Sequence, residues 1–124
     1  MAFERETRRD IRRRAGFESE LSSINNRPLE CSHLDHSRYH DSYNFPDNGV
    51  LVTDIEHYAY HQIFKLHPYH IGLSKDDNYS ALCSIYQRIL DFNKQSCIEM
   101  SEDQIDSEIN KAKDYWFLYL GIES

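Results

Sequence analysis

Cysteine is scarce in this sequence of 124 residues, and its pattern excludes two classes of small protein. The three cysteines are Cys31, Cys83 and Cys97, and no two of them form a C-x-x-C pair. A zinc site made of four cysteines is therefore excluded, and an odd number of thiols is a poor basis for a disulfide framework. We expect three buried free thiols and a reducing, cytoplasmic compartment.

Long apolar runs are also lacking. No stretch approaches the roughly 20 apolar residues that cross a bilayer, and the first ten residues, MAFERETRRD, contain no apolar segment like that of a secretory signal. The lack of such runs predicts no membrane association. The length predicts a single domain, 1–124. We divide it into a basic helix and loop (1–28), a central motif (29–66) and a helical extension (67–124).

Positive charge is in the minority, with 14 Lys and Arg against 21 Asp and Glu, and the net charge is -7. This balance argues against a protein that coats nucleic acid through its bulk charge. The charge is uneven, however, because residues 1–14 contain six arginines and three acidic residues. The seven histidines are equally localised, since all of them lie between His33 and His70.

Two short strands are predicted, at 29–34 and 50–52. The polar segment between them ends in Asn48-Gly49, a strong turn signal, so we predict an antiparallel hairpin with a long loop. Residues 16–28 are rich in turn-forming residues and are predicted to be loop.

Apolar periodicity and capping residues predict four helices, at about 3–15, 53–65, 78–93 and 101–120. Capping boxes of Thr53 with Glu56 and of Ser101 with Gln104 mark two of the starts. The last two helices have predicted inner faces of Leu82, Ile85, Ile89 and Phe92, and of Ile105, Ile109, Ala112, Trp116 and Leu120. The expected fold class is α+β, with a small hairpin and helix motif packed with an N-terminal and two C-terminal helices.

Four histidines of the central motif have a spacing that suggests a shared site. His57 and His61 are four residues apart, so they project from one face of a helix and suit one divalent ion. Strand alternation predicts that His33 and Asp35 lie on one side and His36 on the other. A hairpin followed directly by a helix lets these groups converge with Asn48.

The order His33, Asn48, His57, with His61 one turn on, resembles the HNH nucleases, in particular their colicin-like branch. The resemblance covers residues 8–64 and implies a β-hairpin and a helix that hold one metal ion. It implies metal-dependent hydrolysis of phosphodiester bonds by a DNA endonuclease or nickase using Mg²⁺, Mn²⁺, Ni²⁺ or Zn²⁺. Asn48 would hold the loop and orient the catalytic base.

The chain departs from this family at two places. The cysteines that hold a structural zinc in many members would fall at Thr53, at Glu56 and near residues 17–21, and none is present. The residue before the catalytic His is usually a metal ligand, but here it is Ser32. Two registers stay open, either His33 as the base with a ligand missing, or Asp35 as a ligand with His36 as the base.

In both registers the resemblance implies that His57 and His61 are metal ligands. The N-terminal helix would contact DNA through one broad face, formed by Arg8, Arg9, Arg12 and Arg13. Residues 29–34 resemble the family's strand that carries the catalytic histidine, and His33 is farther from Asn48 in the sequence than His36 is. Both features favour His33 as the base.

Two other functions are compatible with the sequence. The zinc cysteines are missing, and a serine occupies position 32, where the family usually has a metal ligand. These two departures suggest a catalytically degenerate HNH-like module, such as an inhibitor or adaptor that binds a protein or DNA. A metal-binding protein without nuclease activity is the third hypothesis. The aromatic cluster at residues 115–119 predicts burial or a protein contact such as a homodimer interface, and His40, His67 and His70 are expected at the surface.

Overall fold

The computed structural model describes residues 3–34, 43–65 and 75–119, and for residues 64, 75–83, 113 and 115–119 it describes the backbone alone. The elements in chain order are α1 (Arg5–Arg14), β1 (Leu29–His33), a 3-10 turn (Pro46–Asn48), β2 (Gly49–Thr53), α2 (Asp54–Phe64), α3 (Lys75–Ser96) and α4 (Glu102–Tyr119). This two-stranded antiparallel hairpin with four helices confirms the expected α+β class.

The contacts within the chain divide it into two compact units, Met1–His57 and Tyr58–Ser124, with the boundary inside α2. The prediction of a single domain, 1–124, stays a prediction. None of the helices in the described ranges is long and apolar enough to cross a membrane.

The hairpin is formed by β1 and β2, which pair with Leu29 opposite Thr53 and His33 opposite Gly49. The chain enters β2 from the 3-10 turn, so Asn48 ends that turn. Gly49 has an extended backbone, with φ -122° and ψ 152°, and is already the first strand residue. The turn signal at Asn48-Gly49 therefore marks the right place, although the glycine is not needed for its backbone freedom.

A residue without a side chain is needed at position 49 because α1 crosses close to the hairpin at this point. A Cβ atom built on Gly49 would collide with the side chain of Ile11 and would lie 3.0 Å from the ring of Phe3. Both of these side chains are buried, and Leu51 of β2 completes their cluster. Ala15, Leu29 and Cys31 pack against its edge. This apolar cluster of the first unit is thus the contact between α1 and one side of the hairpin.

Arg14, the last residue of α1, ties the helix to three other segments. Its Nη1 donates to the carbonyl oxygen of Pro46 and its Nη2 to that of Gly49, both at 2.8 Å. Its Nε and Nη2 also donate to the carboxylate of Glu20, at 2.8 and 3.0 Å. This fork of donors fixes the C-terminal end of α1 against the start of β2.

In the second unit, α3 and α4 contact each other and contribute four buried isoleucines, Ile85, Ile89, Ile105 and Ile109. The predicted capping box at the start of α4 is confirmed. The Ser101 N–H donates to Gln104 Oε1 at 2.8 Å, and the Gln104 N–H donates to Ser101 Oγ at 3.3 Å. The buried side chain of Asn93 accepts a 3.0 Å hydrogen bond from the N–H of Met100, which anchors the α3–α4 connection.

Two predictions for this part of the chain are wrong. Phe92 does not belong to the inner face of α3, because 41% of it is exposed. Cys97 is not a buried thiol but an exposed one, in a short connection where its own φ is +56°. The side chains of Leu82, Cys83 and Trp116, together with Leu120, lie outside the described residues.

Candidate active site

His33 is enclosed on the α1 side of the hairpin. Its ring stacks on Phe3 with a centroid separation of 3.7 Å and on Tyr43 at 4.1 Å, with interplanar angles of 12° and 15°. Only 8% of the residue is exposed. Strand alternation explains this position, because Cys31 and His33 share a side of β1 and Cys31 packs at the edge of the core. The imidazole therefore has both faces covered by aromatic rings.

Asn48 closes the base of the long loop. Its side-chain Nδ2 donates to the carbonyl oxygen of Tyr43 at 3.0 Å, and its own carbonyl accepts a 2.8 Å hydrogen bond from the N–H of Leu34. Its N–H donates to the carbonyl of Phe45 at 3.0 Å. These bonds join the two ends of the loop between β1 and β2. The buried amide thus sits next to the residue that stacks on His33.

His57 is paired with a carboxylate on the other side of the hairpin. Its Nδ1 lies 2.9 Å from Oε2 of Glu30, and both side chains are partly exposed. Glu30 alternates with Cys31 and His33 along β1, so it points to the opposite side of the strand. His33 and His57 therefore lie on different sides of the hairpin.

Glu30 was missed in the sequence interpretation. Glu30 precedes His57 by 27 residues in the sequence. The one sequence signal for their contact is strand alternation, which places Glu30 and Ser32 on the side of β1 away from His33. A carboxylate that accepts the Nδ1–H of an imidazole fixes the tautomer whose lone pair is on Nε2. This is the arrangement in which histidine commonly binds a metal ion.

The remaining candidate ligands are only partly described. His61 is exposed on α2, one turn after His57, and its ring packs edge-to-face with that of Tyr60 at a centroid separation of 5.8 Å. Asp35 and His36 lie outside the described residues, as do His40, His67 and His70. Within the ranges that the structure describes, no three His, Cys, Asp or Glu side chains are grouped to hold an ion.

A buried polar cluster joins Thr53 and Glu56, at the start of α2, to the loop after α1. The predicted capping box is confirmed, since the N–H of Thr53 donates to Glu56 Oε1 at 3.0 Å and the N–H of Glu56 donates to Thr53 Oγ1 at 3.2 Å. Ser19 adds a third member by donating from Oγ to Glu56 Oε1 at 2.6 Å. The same Ser19 Oγ accepts from the N–H groups of Leu21 and Ser22, both at 3.1 Å.

This cluster ties the loop after α1 to the start of α2, and all three of its side chains are buried. Hydrogen bonds between a loop residue and a helix cap thus connect the two segments in which the resemblance to HNH nucleases would place zinc cysteines. The capping box itself is predicted from the sequence, whereas Ser19, which completes the link, is not.

Cys31 lies beside the arginine helix but is not an activated thiol. Burial raises its pKa above the ordinary value for cysteine, although the nearby guanidinium groups of Arg12, Arg8 and Arg14 act in the opposite direction. Its Sγ lies 3.9 Å from the carbonyl oxygen of Arg8. A neutral, half-buried thiol is a poor nucleophile and a poor metal ligand, which fits its position at the edge of the core.

The exposed face of α1 borders an open groove of about 600 Å³. Its lining includes three of the four arginines predicted to contact DNA, namely Arg8, Arg9 and Arg12. Arg13 is exposed but is not part of the groove, and Arg5 is present in its place. Glu6 and Phe17 complete the lining.

Comparison of the chain with family models, with curated proteins and with solved structures gives no match. A functional interpretation therefore depends on the residues and their geometry.

Proposed function

We propose that the chain is a metal-dependent DNA endonuclease or nickase of the HNH type, with His57 as a metal ligand and His36 as the general base. The observation that carries the proposal is the 2.9 Å contact between Glu30 and Nδ1 of His57. It favours the metal-binding tautomer of an imidazole that the helix spacing already pairs with His61.

The burial of His33 favours the register in which Asp35 is a ligand and His36 is the base. A general base must reach the water molecule whose proton it takes. The ring of His33 is covered on both faces and lies on the side of the hairpin away from His57. β1 ends at His33, so strand alternation carries no information about Asp35 and His36, which lie outside the described residues. With His33 enclosed, His36 is the remaining candidate base of the two registers.

In this proposal each group of the chain has a distinct task. Asp35, His57 and His61 would hold the ion, which would supply charge stabilisation for the scissile phosphate and the leaving oxygen. His36 in its neutral form takes a proton from the attacking water. Asn48 holds the loop that carries the base, and the arginines of α1 bind phosphates. Metal binding and proton uptake both require these imidazoles in their neutral form.

The test is cleavage of supercoiled plasmid with Mg²⁺, Mn²⁺, Ni²⁺ or Zn²⁺, using the whole chain and three variants. His36→Ala and His57→Ala are expected to abolish nicking, whereas His33→Phe, which keeps an aromatic ring between Phe3 and Tyr43, is expected to retain it. Loss of activity in His33→Phe, with a circular dichroism spectrum like that of the unmodified chain, would assign the base to His33 instead. No cleavage with any of the four metals would exclude the nuclease.

A binding module without catalysis is the second candidate, and the enclosed position of His33 favours it. In that case the hairpin and α2 act as a scaffold that presents α1 to DNA. The same plasmid assay separates the two functions when it is combined with a gel-shift measurement, because a binding module retards DNA without nicking it.

A further inference from the structure

Phe17 is an exposed aromatic side chain at the end of a cationic helix face. Sixty-one per cent of Phe17 is exposed, and its backbone has a φ of +59°, which is uncommon for a bulky residue. The preceding Gly16 is also in the left-handed region, with a φ of +68°. The ring of Phe17 therefore makes no contribution to the apolar core of the first unit.

The local backbone explains how Phe17 reaches this position. The N–H of Gly16 donates to the carbonyl of Arg13 at 3.2 Å, and the N–H of Phe17 donates to that of Arg12 at 3.1 Å. This pair of bonds is a Schellman motif, which reverses the chain direction after a helix. It holds Phe17 beside the last turn of α1, where the ring becomes one end of the groove.

Apart from Glu6, the rest of the groove is lined by arginines at a strict helical spacing. Arg5, Arg8, Arg9 and Arg12 occupy positions i, i+3, i+4 and i+7 and so form one face about 10 Å long. Among the described residues, Arg5, Arg8 and Arg12 form no side-chain ion pair, and Arg9 has one exposed 3.8 Å contact with Asp10. The face therefore offers several guanidinium groups to phosphates.

We propose that this groove binds single-stranded DNA, with an unpaired base stacked on Phe17 and the neighbouring phosphates held by Arg5, Arg8, Arg9 and Arg12. A cationic track combined with an exposed aromatic ring is the arrangement that binds single strands, because an unpaired base offers a free π-face and a base within a duplex does not. The carboxylate of Glu6 opposes phosphate at its own position and can accept a hydrogen bond from a base amino group.

This inference rests on the proposed function in one respect, that DNA is the substrate. Binding is therefore measured in EDTA, where the ion required for cleavage is removed and the result does not depend on catalysis. The probe is a fluorescein-labelled oligonucleotide of about a dozen nucleotides, which covers a typical single-strand site. It is compared with the same oligonucleotide annealed to its complement, by fluorescence anisotropy with the whole chain.

Phe17→Ala is expected to weaken single-strand binding by about tenfold and to leave duplex binding unchanged, while Phe17→Trp retains the single-strand affinity. The matched control is Phe45→Ala, because Phe45 is equally exposed at 57% and does not line the groove. The double substitution Arg8→Gln and Arg12→Gln is expected to weaken binding to both probes and to reduce the salt dependence, whereas Arg27→Gln, outside the groove, has little effect.

Three results would overturn the proposal. In the first, Phe17→Ala binds the single strand as tightly as the unmodified chain does. In the second, Phe45→Ala loses as much single-strand affinity as Phe17→Ala. In the third, the unmodified chain binds the duplex more tightly than the single strand. Binding to neither probe would also overturn it, and this outcome is independent of whether the plasmid is nicked.

Discussion

The two compact units of the chain have different interiors. Among the described residues, the second unit buries a single polar side chain, Asn93, whereas the first unit buries seven. Those seven are Thr7, Ser19, Ser32, His33, Asn48, Thr53 and Glu56. Long helices satisfy their own backbone groups, so α3 and α4 can present isoleucines to each other. The first unit has two five-residue strands and long loops, whose backbone groups need side-chain partners.

The cationic residues differ in the same way. Through residue 57 the sequence contains eight arginines and no lysine, and from residue 58 onward it contains five lysines and one arginine. Arginine binds phosphate through a planar fork of donors, and lysine does so as a flexible point charge. The residues that can bind phosphate in a defined geometry are therefore concentrated in the first unit. The same unit contains His33, Asn48 and the Glu30–His57 pair.

The two confirmed capping boxes give the sharpest test of this comparison, because one is buried and the other exposed. Glu56→Ala removes the partner of Thr53 and Ser19 inside the first unit, and we expect it to lower the free energy of unfolding by about 3 kcal/mol. Gln104→Ala acts on an exposed cap in the second unit and is expected to cost about 0.5 kcal/mol. Urea denaturation measures both values.

Glu56→Gln serves as the control for this pair, since it keeps the Oε1 acceptor and is expected to lose less stability than Glu56→Ala. Equal losses in Glu56→Ala and Gln104→Ala would contradict the view that the first unit depends on its buried polar cluster.

The apolar half of the first unit can be tested at Gly49. A methyl group at this position collides with Ile11 and Phe3, and we expect Gly49→Ala to cost about 2 kcal/mol. The double variant Gly49→Ala with Ile11→Val is expected to recover part of the loss, because it removes a methyl group where the new one arrives. Thermal unfolding followed by circular dichroism measures the difference. A Gly49→Ala protein as stable as the unmodified chain would show that α1 is loosely packed.

The smallest expected effect is electrostatic and concerns Asp54, the first residue of α2. Arg27 donates to both of its carboxylate oxygens at 2.9 Å, and this hydrogen bonding lowers the pKa of Asp54 below its ordinary value. A lowered pKa in the folded state contributes stability that is complete above the unfolded-state pKa, near 3.8, and is lost as the pH falls below it.

Because the pair is partly exposed, this contribution is a few tenths of a kcal/mol. Urea denaturation at a series of acidic pH values, with Arg27→Gln beside the unmodified chain, measures it. We expect the gap between the two proteins at neutral pH to close at the acidic end, and a gap that widens there would contradict the assignment.

The sequence predicted the elements of this fold because their signals are local. Helical periodicity and capping residues lie within a few positions of each other, so the hairpin, the four helices and both capping boxes were located within a few residues. The same periodicity predicts an inner-face position for Phe92, which is exposed in the structure, because periodicity identifies an apolar face but cannot show how much of it a partner covers.

The candidate site was less predictable because its contacts join distant parts of the chain. His33 is enclosed by Phe3, which lies 30 residues earlier, and no local pattern indicates that stacking. The Glu30–His57 contact depends on the side of β1 that faces α2. The exposure of Phe17 follows from a left-handed backbone at a non-glycine residue, which local propensity does not predict.

Arg14 has a consequence for how its neighbouring arginines work. Its hydrogen bonds to Pro46, Gly49 and Glu20 fix one end of α1, and the 2.8 Å bond from Thr7 Oγ1 to the carbonyl of Asn44 fixes the helix near its start. The backbone of the arginine face is therefore already ordered before any ligand arrives. Binding then has to immobilise only the long side chains and not the helix itself, which lowers the entropy lost on association.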